Sequence, residues 1–83
     1  MPYDILAVRY VVHHTLWLRF RDGSEGEVDL APHLTGPSLA PLLDLERFRQ
    51  VTLHPVFHTL VWPDGADLAP EFLYERLHAN ARA

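Results

Sequence analysis

The sequence contains no cysteine, no lysine and no apolar run of membrane-spanning length. Without cysteine, the chain cannot form disulfides, a catalytic thiolate or a cysteine-based zinc site. A transmembrane helix needs about 20 predominantly apolar residues, and the N-terminus lacks the basic segment before an apolar one that typifies a signal peptide. We therefore expect a cytoplasmic protein that makes no contact with a membrane.

The residue patterns that usually carry catalysis are scarce as well. The two serines are Ser24, next to a predicted hairpin turn, and Ser38, in a proline-rich loop. Neither lies in a nucleophile elbow, and the sequence has no glycine-rich phosphate loop. We therefore expect neither enzymatic activity nor a cofactor.

The charge balance limits the classes of partner. Seven arginines oppose eleven carboxylates, which gives a formal net charge of −4. The arginines are scattered along the chain, whereas nucleic-acid-binding proteins concentrate positive charge on one face to neutralise phosphates. Direct binding of DNA or RNA is therefore not expected, and the acidic surface suits a small basic protein as partner.

Length and periodicity predict one α+β domain over residues 1–83. The chain has 83 residues and a hydrophobic content of 48%, which is enough for a single core. Period-two patterns and turn residues predict an antiparallel sheet of about five strands that begins with a three-stranded meander, packed with two short helices. The predicted strands cover residues 4–12, 15–21, 24–30, 51–53 and 59–62, and the predicted helices cover residues 45–50 and 70–79.

The turn between the second and third strands sets the register of the meander. A two-residue turn at Asp22-Gly23 would place Phe20 opposite Glu25 and would mix buried with solvated positions. A three-residue loop with Gly23 in the left-handed conformation avoids this conflict. In the first strand, the same alternation predicts that Leu6, Val8, Tyr10 and Val12 lie on one side.

The best candidate for a binding surface is the solvated face of this meander. Trp17 shares that face with Arg19 and Arg21, while Glu25 and Glu27 lie on the neighbouring strand. An exposed tryptophan flanked by arginines is typical of an interaction hot spot. We expect this surface to mask a small basic protein, with the charged residues setting register and orientation.

Two alternatives use other features. His54 and His58 have i, i+4 spacing, but Pro55 prevents the helix that would bring them together, and His13 and His14 lie in a turn. A metal- or small-ligand site combining the two histidine pairs requires both loops to meet at one end of the sheet; otherwise these are exposed turn histidines. The other alternative is a homodimer that pairs through an exposed edge strand.

The most distinctive segment is the turn that begins at Trp62, which we call the signature turn and expect to have an architectural role. It comprises Trp62, which we expect to fill the core at the end of a strand, and Pro63 and Gly65, which suit the turn itself. Asp64 is expected to cap its own turn, and Asp67 to satisfy backbone groups before the final helix.

Several segments together resemble the domain of unknown function 2442 family of small, mainly bacterial proteins. They are Leu18–Gly23, Val28–Pro32, Pro41–Asp44 with Phe48, and Val61–Leu68 with Leu73-Tyr74. The resemblance implies a small α+β fold and supplies no catalytic residue. Members of the family are often encoded beside another small protein in a pair that resembles a toxin–antitoxin arrangement, which implies an antitoxin-like role.

Overall fold

Two three-stranded antiparallel sheets and three α-helices make up the part of the chain that the structure, a computed structural model, describes: residues 3–81. Single 3₁₀ turns at Ala31–His33 and Ala40–Leu43 link some of these elements. In chain order the elements are β1 Ile5–Val12, β2 Thr15–Phe20, β3 Glu25–Asp29, α1 Gly36–Leu39, α2 Leu45–Phe48, β4 Thr52–Leu53, β5 Leu60–Val61, β6 Asp67–Leu68 and α3 Pro70–Ala81.

The predicted α+β class and the N-terminal meander are confirmed. The described strands number six rather than about five, and they form two sheets, with strand orders β1-β2-β3 and β4-β5-β6. The additional strand is β6, which pairs with β5 across the Pro63–Gly65 turn. A strand of two residues has no alternation to detect, which is why the sequence predicted a loop there.

The three-residue hairpin loop between β2 and β3 is confirmed. Gly23 is left-handed, with φ of 92°, and the Ser24 N–H donates to the Asp22 carboxylate at 2.9 Å. The resulting register pairs Leu18 with Gly26, as the choice of loop requires. The even-numbered residues of β2 and β3 consequently face the core.

Strand β1 departs from the predicted alternation. Its register against β2 shifts near both ends, so that Ile5, Val8 and Tyr10 face the core while Leu6 and Val12 do not. Ile5 is fully buried, whereas Leu6 and Val12 are 42% and 47% exposed. The prediction that Leu6 and Val12 share one side with Val8 and Tyr10 was wrong because a β-bulge adds a residue and reverses the side-chain parity beyond it.

Helix α3 covers the core face of the meander. Leu73 and Leu77 are buried against the sheet, and a Cβ atom on Gly26 would lie only 2.8 Å from the Leu77 side chain. Within residues 3–81, no helix is long and apolar enough to cross a membrane. The core consists of Ile5, Leu16, Leu18, Phe20, Val28, Leu30, Leu34, Leu42, Phe48, Leu60, Trp62, Ala66, Leu68, Leu73 and Leu77.

The helical predictions at 45–50 and 70–79 correspond to α2 and α3. Helix α2 is shorter than predicted and ends at Phe48. Asp44 is its N-cap, as its position before the helix indicates, and its carboxylate accepts the Glu46 N–H at 3.0 Å. Helix α3 begins at Pro70, whose missing N–H and fixed φ suit the first turn.

Candidate interaction surface

The side of the meander that faces away from α3 carries a mixed set of charged and aromatic side chains. It is formed by Ala7, Arg9 and Val12 of β1 and by the odd-numbered residues 15–19 of β2 and 25–29 of β3, and we call it the outer face. The register follows directly from the hairpin loop and from the burial of the even-numbered residues. Four of the five predicted partner-binding residues lie on it: Trp17, Arg19, Glu25 and Glu27.

Trp17 occupies the middle of the outer face. It lies opposite Arg9 of β1 and opposite Glu27 of β3. The Arg9 guanidinium carbon is 4.9 Å from the centroid of the Trp17 ring, a cation–π contact that contributes about 0.5–1 kcal/mol at an exposed site. Trp17 is therefore half-buried rather than freely exposed as expected, and the arginine holds the indole in place.

Charge is unevenly distributed across the outer face. Every odd-numbered residue of β3 is an exposed carboxylate: Glu25, Glu27 and Asp29. The cationic residues are Arg9 on β1 and Arg19 on β2, and Arg19 lies opposite Glu25 as the predicted register requires. The face thus has an acidic margin along β3 and a cationic region beside it.

Arg21 does not belong to this surface. The sequence placed it in a longer second strand, but β2 ends at Phe20 and Arg21 lies in the turn. Its Nε donates to the Asp4 carboxylate at 3.2 Å, and its backbone N–H donates to the Asp4 carbonyl at 2.9 Å. Arg21 therefore ties the hairpin to the start of β1 instead of flanking Trp17.

Arg9 is the member of the outer face that sequence reasoning missed. Alternation along β1 is enough to place it on the solvated side. Its position opposite Trp17 depends on the cross-strand register, which the two irregularities in β1 alter. No pattern within the strand itself predicts those irregularities.

The two histidine pairs lie at different ends of β1. The His58 carbonyl accepts the Ile5 N–H at the start of that strand, and His13 and His14 follow its last residue. Eight strand residues separate the two positions by about 23 Å. The loops therefore do not meet at one end of the sheet, and within residues 3–81 no three His, Asp or Glu side chains form a group that could hold a metal ion.

The loop between β4 and β5 has an apolar tip. Its Val56 and Phe57 side chains are 67% and 70% exposed, the highest values among the large apolar residues described. The His54 imidazole Nδ1 accepts the backbone N–H groups of both residues at 3.1 Å. His54 therefore organises this loop, a role that the i, i+4 spacing with His58 did not indicate.

The signature turn proves to be architectural. Trp62 is 3% exposed, and its Nε1 donates to the Phe48 carbonyl at 2.9 Å, so the indole joins β5 to α2. Gly65 is left-handed with φ of 93°, and the Asp64 carboxylate accepts the Ala66 N–H, as expected of a turn cap. Asp67 belongs to β6 rather than to a loop before the last helix, which corrects its predicted setting.

A cleft of about 290 Å³ lies beside this turn. Its lining combines the buried Trp62 with a cation, an amide and a carboxylate. The lining residues are Leu42, Arg47, Gln50, Trp62, Pro63 and Asp64. The cleft is thus separate from the outer face of the meander and is lined by the signature turn, by Arg47 of α2 and by residues on either side of that helix.

One protein family matches nearly the whole chain. A family model described as "Protein of unknown function (DUF2442)" matches residues 5–79, a span that includes both sheets and most of α3. No curated protein and no solved structure matches the chain. Since the family model covers most of the sequence, including the signature turn and the meander, the chain belongs to the DUF2442 family.

Proposed function

We propose that this protein is a non-enzymatic protein-binding module that uses the outer face of its meander to mask a small basic protein. The observation that carries the proposal is the arrangement around Trp17. A large aromatic side chain lies at the centre of a solvated sheet face, flanked by a cation and a carboxylate on the adjacent strands.

The physical basis of binding is a preorganised aromatic anchor. Interface energy is concentrated in a few aromatic and arginine side chains near the centre of the contact. Because Arg9 already holds the Trp17 ring at 4.9 Å, little side-chain entropy remains to be lost when a partner covers the indole. Trp17 therefore supplies affinity at a small ordering cost.

The charges would orient the partner. Basic groups are attracted to Glu25 and Glu27 on the β3 side and repelled by Arg9 and Arg19 on the other side. Such a pattern favours one alignment and rejects others, and it affects association rate and specificity more than affinity. The overall charge of −4 acts in the same direction at longer range.

In a bacterial cytoplasm, this binding mode fits an antitoxin-like role. Occlusion of a basic protein's functional surface needs a complementary face and no catalytic group. The resemblance to a family whose members are often encoded beside a second small protein supports that interpretation. The proposal therefore does not require a cofactor, a nucleic acid or a membrane.

The proposal is tested by isolating the partner and then measuring its affinity. The tagged protein is purified from its native cell, co-eluting proteins are identified by mass spectrometry, and the affinity of a stoichiometric small basic protein is measured by calorimetry. Trp17→Ala combined with Glu27→Arg should abolish binding. Circular dichroism should show that this variant remains folded, because neither residue belongs to the core.

A matched control places the same charge reversal elsewhere. Glu75→Arg alters an exposed residue in the middle of α3, on the opposite side of the meander from the outer face. This variant should bind as the wild type does. Unchanged affinity of the Trp17/Glu27 variant, or an equal loss in the Glu75 variant, would contradict the proposed surface.

A further inference from the structure

Strand β3 is an open edge of the molecule. In its sheet, β3 neighbours only β2, while the opposite edge strand, β1, lies beside β4 and donates the Ile5 N–H to the His58 carbonyl. The edge strands of the second sheet, β4 and β6, are two residues long. Among the described strands of more than two residues, β3 is therefore the one whose second edge has no strand packed against it.

The register shows which backbone groups of β3 are unpaired. The Phe20 N–H donates to the Ser24 carbonyl at 2.8 Å, and the Leu30 N–H donates to the His14 carbonyl at 2.9 Å. Hydrogen-bonded and non-hydrogen-bonded pairs alternate along an antiparallel ladder. The even-numbered residues of β3 therefore turn their N–H and C=O groups to β2, and the odd-numbered residues 25–29 turn theirs to the open edge.

The residues with outward-facing backbone groups are also the acidic ones. Glu25, Glu27 and Asp29 combine an unpaired backbone position with an exposed carboxylate on the outer face. Two copies paired through this edge would place carboxylates opposite carboxylates, which is unfavourable. The edge thus rejects a second copy and is electrostatically matched to a basic strand.

We infer that the partner binds by adding an extended basic segment to β3 as a fourth strand of the meander. This inference rests on the proposed function and specifies its binding mode. Main-chain hydrogen bonds to the odd-numbered residues of β3 provide affinity, as in other cases of strand addition. Basic side chains at every second position provide specificity.

The geometry specifies the pattern of that segment. Residues of the added strand that hydrogen-bond to Glu25, Glu27 and Asp29 place their side chains directly opposite these carboxylates, with Cβ atoms about 4.5–5.5 Å apart. The residues between them face the side of α3, because Leu77 of that helix packs beneath Gly26. The partner therefore presents lysine or arginine in strict alternation with small or apolar residues.

The test uses a short, end-blocked peptide in which lysine and threonine alternate. Its addition to the full chain should slow hydrogen exchange of the Glu25, Glu27 and Asp29 amides at least about tenfold, measured by NMR. The Gly26 and Val28 amides already face β2 and serve as internal controls, so their exchange should not change. A peptide with the same sequence, methylated on the backbone nitrogen of each lysine, keeps the charges but cannot donate to β3, and should leave the exchange of all five amides unchanged.

A charge exchange provides the matched variant. Glu25→Lys combined with Glu27→Lys should lose the response to the lysine peptide and should gain protection from a peptide in which glutamate and threonine alternate. Recovery of binding by the acidic peptide would show that the variant is folded and that charge selects the added strand. Failure of the acidic peptide to protect these amides would count against the inference.

Three further outcomes overturn strand addition without deciding the proposed function. In the first, the lysine peptide shifts the Trp17 indole resonance but leaves the Glu25, Glu27 and Asp29 amides unprotected. In the second, the N-methylated peptide slows amide exchange as strongly as the parent peptide. Either result would mean that partners dock through side chains on the outer face. No response to the lysine peptide also overturns strand addition, whereas the proposed function is decided separately by the Trp17/Glu27 variant and the isolated partner.

Discussion

Substitution of Trp62 by phenylalanine should be strongly destabilising although it conserves an aromatic ring. Trp62 is 3% exposed and its Nε1 donates to the Phe48 carbonyl at 2.9 Å. Trp62→Phe leaves that buried carbonyl without a donor, at a cost of about 1–3 kcal/mol. The smaller ring also leaves part of the site unfilled, which costs about 1 kcal/mol. We expect the free energy of unfolding to fall by roughly 2–4 kcal/mol in total.

The assay is urea unfolding monitored by circular dichroism, with Trp17→Phe as the matched control. A chain of this length is expected to have a stability of about 4–12 kcal/mol, so Trp62→Phe should remain folded in water with a lower midpoint and an unchanged urea dependence. Trp17→Phe keeps a ring beneath Arg9 and belongs to no core cluster. Its cost should stay below about 1 kcal/mol.

The result that would refute this reasoning is a small or equal effect. If Trp62→Phe cost less than about 1 kcal/mol, or no more than Trp17→Phe, the bond to Phe48 would not be stabilising the junction of β5 and α2. A changed urea dependence would instead indicate that the unfolding transition is no longer two-state. Near-ultraviolet circular dichroism would separate these cases, because each variant keeps one tryptophan.

Two other substitutions test the junction of the meander with α3. Gly26→Ala should destabilise by about 1–2 kcal/mol, because its methyl group would meet Leu77 at 2.8 Å, and Leu77→Val should relieve part of that cost in the double variant. The Tyr74 hydroxyl donates to the Asp22 carboxylate at 2.5 Å. This hydrogen bond, and to a smaller extent the one from the Ser24 N–H, lowers the pKa of Asp22 below its ordinary value of 3.8. The bond to Asp22 also raises the pKa of Tyr74 above its ordinary value of 10.0. The contribution of this hydrogen bond to the free energy of unfolding is therefore fully present between pH 3.8 and pH 10.0. It is lost as the pH falls through the lowered pKa of Asp22, and also as the pH rises through the raised pKa of Tyr74. Tyr74→Phe should accordingly lower the melting temperature at pH 7 and progressively less as the pH falls through the lowered pKa of Asp22, and an equal loss across an acid titration would contradict the linkage.

The meander shows how much local pattern can predict. The parity of hydrophobic residues around Asp22-Gly23 excluded a two-residue turn and gave the register of β2 against β3, including the pair of Arg19 with Glu25. That inference succeeded because a shift by one residue would turn every buried side chain to solvent. The N-cap at Asp44 and the start of α3 at Pro70 were predictable for the same reason: both depend on contacts within a few residues.

The errors have a common physical origin in contacts between distant segments. Leu6 and Val12 were expected on the same side of β1 as Val8 and Tyr10, but irregularities in the pairing of β1 turn them away and expose them. Arg21 was expected beside Trp17, but Asp4, seventeen residues earlier, binds it. Asp67 was expected in a loop, but it pairs with Val61.

Local sequence patterns were enough to predict the fold class, the meander with its β2–β3 register, the architectural turn around Trp62 and the membership of the DUF2442 family. These depend on alternation, on backbone preferences of glycine and proline, and on a signature read along the chain. Three features depend on how the strands pair in space: Arg9 lies over the Trp17 ring, the histidine pairs lie at different ends of β1, and β3 is an open edge. Cross-strand register and edge position are properties of paired strands, so no single strand's sequence contains them.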